Sequence, residues 1–195
     1  MKRLFVIILS AALLSPLNAL AATYNLDPAH STIQFKVKHL MISNVTGIFE
    51  KFNGTVFIDD KDISNSKVNV KIEMASLNTN IAKRDEHLRS SDFFDVAKFP
   101  AMTFTSTKVE KVGTDKLKVT GDLTIKGVSK SVVLNVDGPT GEIRSPQGDI
   151  KRGASATATI NRQDFGVSWN KKLDGGGLVV ADDVHISIDS EMAKQ

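Results

Sequence analysis

The side chains able to do chemistry are few: four histidines, no cysteine and no repeated acidic or nucleophilic motif in 195 residues. His30, His39, His87 and His185 are dispersed. A zinc site wants three or four converging ligands, commonly with a close histidine pair, and no such pair exists. Without thiolates the spacing therefore suggests neither a metal nor another cofactor. Asp27, His30 and Ser31 contain the three members of a hydrolase triad by type. They are crowded into the entrance of one extended segment, where base, nucleophile and orienting acid cannot readily converge. No G-x-S-x-G elbow is present either. Turn stabilisation is the better role for Asp27 and His30. Gly175-Gly176-Gly177 lacks the Lys-Ser/Thr that would complete a phosphate loop, and reads as a turn. No catalytic residues are assigned.

The chain that must position these residues opens with the pattern expected of an export signal. Lys2 and Arg3 precede an apolar run from Leu4 to Leu14, and Ala19-Leu20-Ala21 supplies a small-x-small cleavage pattern. The run is too short to span a bilayer permanently. Residues 1–21 are read as a signal peptide and 22–195 as one mature domain, with the periplasm as destination. The absence of cysteine closes the lipoprotein route and excludes a disulfide scaffold. Removing Lys2 and Arg3 from 25 basic and 22 acidic side chains leaves 23 against 22, a net charge of +1. That near-neutral balance argues against a nucleic-acid partner.

The mature chain alternates with period two, the signature of half-buried strands. Eight such runs are expected: Ser31–His39, Val45–Ile58 as one long strand bent by a bulge where the parity changes at Glu50-Lys51, Val68–Met74, Met102–Ser106, Leu117–Ile125, Val132–Val136, Gly153–Ile160 and Val184–Ile188. Asn80–Ser90 carries Ile81 and Leu88 at helical spacing and predicts a short helix between strands three and four. Gly138–Gly153 reads as an exposed loop. Eight antiparallel strands fit either a sandwich or a barrel able to enclose one small ligand.

Several blocks carry a resemblance. They are Leu26-Asp27-Pro28-Ala29-His30-Ser31, Val45-Thr46-Gly47-Ile48-Phe49, Arg84-Asp85-Glu86-His87-Leu88, Ser91-Asp92-Phe93-Phe94-Asp95, Lys98-Phe99-Pro100, Gly121-Asp122-Leu123-Thr124-Ile125-Lys126-Gly127-Val128 and Ile160-Asn161-Arg162-Gln163-Asp164-Phe165-Gly166. In this order they closely resemble the YceI-like family of periplasmic polyisoprenoid-binding proteins, from about Tyr24 to Glu191. Tyr24 stands where the family often has Trp. The resemblance implies an eight-stranded antiparallel lipocalin-like barrel around an apolar tunnel. It also implies a polyisoprenoid lipid, such as a quinone or polyprenyl phosphate, as partner, with transient contact to a membrane or membrane protein.

On that reading Phe35, Val37, Phe49, Val70, Ile72, Met74, Met102, Phe104, Leu123, Ala156 and Trp169 are the expected lining. Ala154, Ala156 and Ala158 share the inward face of the seventh run, where small side chains leave room that a packed interior seldom leaves unfilled. His39, Arg84 and Asp85 are the candidates for a polar head group. The alternative for His39 is a core histidine bonded to a backbone carbonyl. For Arg84 and Asp85 it is a solvated helix face with local ion pairs. Two rivals stand beside a carrier: an enzyme using His39, Arg84 or Asp85 on a lipid head group, and an envelope scaffold with a filled barrel. The sequence leaves the oligomeric state open.

Overall fold

The computed structural model describes residues 21–195. The leader expected over 1–21 lies outside them except for Ala21. Twelve strands form one sheet. In chain order they are β1 (Ala22–Leu26), β2 (Thr32–His39), β3 (Ser43–Phe49), β4 (Phe52–Ile58), β5 (Lys67–Glu73), β6 (Leu77–Asn78), β7 (Ala101–Gly113), β8 (Lys116–Ile125), β9 (Val128–Asp137), β10 (Ile143–Arg144), β11 (Ile150–Asn161) and β12 (Val180–Lys194). A single α-helix among the described residues, α1, covers Ala82–Arg89.

Closure comes from β12. It pairs antiparallel with β11 along one edge, from Lys151↔Ala193 to Asn161↔Asp183. Its other edge takes β2 and then β1. A 3-10 turn over Pro28–His30 separates β1 from β2, with Pro28 opening the turn and Asp27 Oδ1 accepting the Ala29 amide at 3.0 Å. β3 and β4 likewise continue one wall, with β3 on β2 and β4 on β1. Counted by wall, the result is an eight-stranded antiparallel barrel.

The split between β3 and β4 falls at Glu50-Lys51, where the alternation changes parity. The helix stands differently from expectation. In chain order it follows the sixth strand, not the third, because β1, the β3/β4 break and the two-residue β6 all precede it. β7 is also much longer than Met102–Ser106. A bulge between Ser106 and Lys108 shifts the register against β8, so the inward residue after Phe104 and Ser106 is Val109. A strict period of two misses that continuation.

Apolar side chains from every wall meet inside the barrel. The rings of Phe35 and Phe104 lie flat across glycines of the neighbouring strands. A Cβ at Gly47 would sit 2.4 Å from Phe35, and one at Gly121 would sit 2.4 Å from Phe104. Glycine at these positions lets each ring turn along the wall, not across the interior.

Candidate functional site: an apolar cavity inside the barrel

Packing inside the barrel is incomplete. A cavity of about 260 Å³ runs between its walls. Phe35 and Val37 of β2, Phe49 of β3, Val70 and Ile72 of β5, Met102 and Phe104 of β7, Leu123 of β8 and Ala156 of β11 all stand on its wall. Ala154 joins them, whereas Ala158 is buried in the core and is not on the cavity wall.

Two expected lining residues are elsewhere. Met74 continues the parity of Ile72, but β5 ends at Glu73 and a 3-10 turn over Met74–Ser76 carries its side chain into the packed core. Trp169 packs beside Phe93 at 5.0 Å and meets His87 edge-on at 5.1 Å. It belongs to the structure over the barrel end.

The three head-group candidates do not converge on the cavity either. Arg84 donates from Nε to Thr79 Oγ1 at 2.7 Å and from an Nη to the Thr79 carbonyl at 2.8 Å. Buried Asp85 accepts the Thr79 amide at 2.9 Å and the Thr79 hydroxyl. Both side chains therefore fix the turn between β6 and α1. His39 closes β2 opposite Ser43 and is off the cavity wall. The remaining histidines have local partners: His30 with Asp27, His87 with Asp92, and His185 with Thr159. Asp27, His30 and Glu191 come close enough to share a cation, but Lys151 already places its ammonium 2.6 Å from Glu191 and 3.3 Å from Asp27.

Sequence reasoning missed Arg162, a buried residue on the cavity wall. Its guanidinium donates to the carbonyls of Ala181 at 3.0 Å, Val167 at 2.6 Å, Trp169 at 2.9 Å and Val180 at 3.5 Å, and to Asp182 Oδ1 at 3.0 Å. Burial holds its pKa below the ordinary value, with Asp182 opposing the shift. It is a tie for the 166–181 segment, with no donor left for a ligand. Also missed were Leu88, Phe93, Phe94, Phe165 and Val167, which close the cavity from the α1 end. β12 contributes Val184, Ile186, Ile188 and Met192. Their uninterrupted even parity was the available signal.

The opposite end holds a polar cluster. The wholly buried Tyr24 donates its hydroxyl to Glu142 at 2.6 Å and accepts from Arg152 Nε at 3.0 Å. Arg152 forms a two-pronged pair with Asp60. Burial, followed by the bond to Glu142, pushes the Tyr24 phenol up to about 12. Glu142 comes from the segment expected to be an exposed loop, which is exposed over most of its length and reaches the Tyr24 hydroxyl through this side chain.

Fold and site together define a lipocalin-like β-barrel with an internal apolar cavity. A family model described as the YceI-like domain matches residues 24–192, and the chain belongs to that family. It is 42% identical over 195 residues to a UPF0312 protein of Photorhabdus laumondii, covering 99% of this chain and 98% of that one. Among solved structures, a Campylobacter jejuni YceI protein is 37% identical with a TM-score of 0.68, covering 81% of this chain and 90% of its own. BcnA of Burkholderia cenocepacia is 25% identical with a TM-score of 0.75, over 85% and 98% of the two chains. A polyisoprenoid-binding domain from Saccharophagus degradans is 18% identical with a TM-score of 0.65, over 89% and 99%, a likeness of fold.

Proposed function

We propose that this protein is a periplasmic carrier that holds the hydrocarbon chain of a polyisoprenoid lipid inside the barrel. The observation that carries the reading is the chemistry of the cavity wall. It is apolar almost throughout, and of its six polar members, which include Gln34 and Ser155, four are tied up within the protein. Ser31 exchanges hydrogen bonds with the Glu191 backbone, Ser190 donates to the Ala154 carbonyl, and Ser66 accepts the Asp59 amide. Arg162 is spent on backbone carbonyls and Asp182. Such a wall gains from a hydrocarbon and offers little to a charge. The head group accordingly stays at the mouth or outside. The polyisoprenoid-binding description of the Saccharophagus domain, which shares the fold, agrees with an isoprenoid chain.

The same wall favours binding over catalysis, since no base and nucleophile meet there. Each buried methylene contributes about 0.8 kcal/mol relative to water, but a lipid in a bilayer already has that stabilisation. Exchange between barrel and bilayer is then near neutral, as a carrier requires. Organic extraction of freshly purified protein followed by mass spectrometry tests the proposal. It expects an isoprenoid-type lipid at a stoichiometry approaching one per chain. Protein that yields no lipid, from its own host and without detergent, overturns it.

A further inference from the structure

The β2–β3 hairpin ends in Leu40-Met41-Ile42, three consecutive large apolar residues that are 36%, 50% and 82% exposed. Leu40 and Met41 also hold positive φ values of 52° and 62°. Asn-Gly is the usual sequence at such a tip, because bulky side chains resist this backbone form. Both exposure and conformation therefore work against these residues, and neither helps the barrel fold. A use outside the folded chain accounts for them.

What surrounds the tip narrows that use. From Thr32 to Phe49 the hairpin contains no acidic residue, while Lys36 and Lys38 are exposed on β2. The tip leans on the 171–179 loop. The Leu40 amide donates to the Val179 carbonyl at 2.8 Å, and Val179 donates to the Lys171 carbonyl at 3.0 Å. Lys171 and Lys172 in that loop are exposed. An apolar point flanked by Lys38, Lys171 and Lys172, against one exposed acid, Asp174 of the loop, matches an anionic bilayer, where the point enters the interface and the ammonium groups meet phosphates. A protein partner fits less well, since a stable interface needs about 800 Å² per side and a convex three-residue tip does not supply it. The tip is also continuous with the cavity: Val37, two residues before His39 on β2, stands on the cavity wall, as does Val180, which pairs with His39.

We propose that the β2–β3 hairpin tip is a membrane-docking element that inserts Leu40, Met41 and Ile42 into an anionic phospholipid surface, with Lys38, Lys171 and Lys172 on the headgroups. This places the α1 end of the barrel against the bilayer. The inference extends the lipid-carrier reading without depending on it.

Cosedimentation of the whole mature protein with vesicles of phosphatidylethanolamine and phosphatidylglycerol, and with phosphatidylcholine vesicles, is the test. The variant Leu40→Asn/Met41→Gly/Ile42→Ser installs residues that suit the turn, so it should fold at least as well as wild type. It should lose vesicle binding by about tenfold or more, the scale of losing one fully buried aliphatic side chain. Lys38→Gln/Lys171→Gln/Lys172→Gln should weaken binding to the anionic vesicles and remove its salt dependence. Lipid already in the barrel, extracted separately, should be unchanged in both, since none of these residues is on the cavity wall. Wild-type protein that fails to bind the anionic vesicles overturns the inference. So does equal binding by the tip variant. Self-association that disappears in the tip variant, without vesicle binding, would assign the tip to a second copy instead.

Discussion

Ala156 offers the sharpest perturbation of the cavity. Its side chain stands on the wall, so Ala156→Phe would place a phenyl ring where a lipid chain is proposed to lie. The ring takes the room of about six carbon atoms, and at about 0.8 kcal/mol per methylene the displaced tail loses up to about 5 kcal/mol of burial. Every 1.4 kcal/mol is about a tenfold change in affinity, so even a third of that loss lowers occupancy about tenfold. Folding should survive, because a space of about 260 Å³ is available beside the residue. Ala158 is the control. It lies one alternation further along β11, is 7% exposed, packs in the core and is not on the cavity wall. Ala158→Leu therefore overpacks, at a cost of about 1–3 kcal/mol. The assay is a melting temperature and an extractable-lipid ratio for wild type and both variants. Ala156→Phe should keep or raise the melting temperature and lose lipid, while Ala158→Leu should melt earlier. Equal destabilisation by both changes, with lipid content as in wild type, would refute the reasoning.

Tyr24 is the sole tyrosine of the chain, so phenolate absorbance reports it alone. The folded protein should titrate at about 12, against 10.0 for an unperturbed phenol. Because the folded pKa is raised, its contribution to stability is complete below pH 10 and falls as the pH rises towards 12, by up to about 3 kcal/mol; denaturant melts across that window check the loss. Gly121→Ala puts a Cβ 2.4 Å from the Phe104 ring and 2.6 Å from the Thr105 carbonyl, and the carbonyl cannot yield. It should destabilise the barrel by about 1–3 kcal/mol in the same melts. Arg162→Met strips the donor from four carbonyls and from Asp182. It should cost about 3–5 kcal/mol and accelerate hydrogen exchange across residues 166–181.

Alternation made the barrel walls legible in advance, because a strand with one face inward must repeat every second residue. That signal, through its parity change, marked Glu50-Lys51 as a bulge in one long strand, where the chain in fact ends β3 and starts β4. It lost β7 beyond Ser106, where a bulge moves the inward position from Ser106 to Val109. It also placed Met74 on the cavity, since parity carries no warning that a strand stops at Glu73. The polar anchors were less legible still. Arg162 and Asp182 meet across 20 positions of chain, and Tyr24 and Glu142 across 118. Nothing local distinguishes such a residue from a solvated charge. Arg84 and Asp85 were legible as a helical pair, but their joint partner Thr79 sits before the helix and bears no motif.

Native mass spectrometry of the full mature protein, purified from its own host without detergent, tests the central claim most directly. The account predicts a population heavier than the bare chain by one lipid mass. That mass should be released on collisional activation, identify as a polyisoprenoid, and be depleted in Ala156→Phe. Bare chain alone in wild type, or an adduct undiminished in Ala156→Phe, would contradict it.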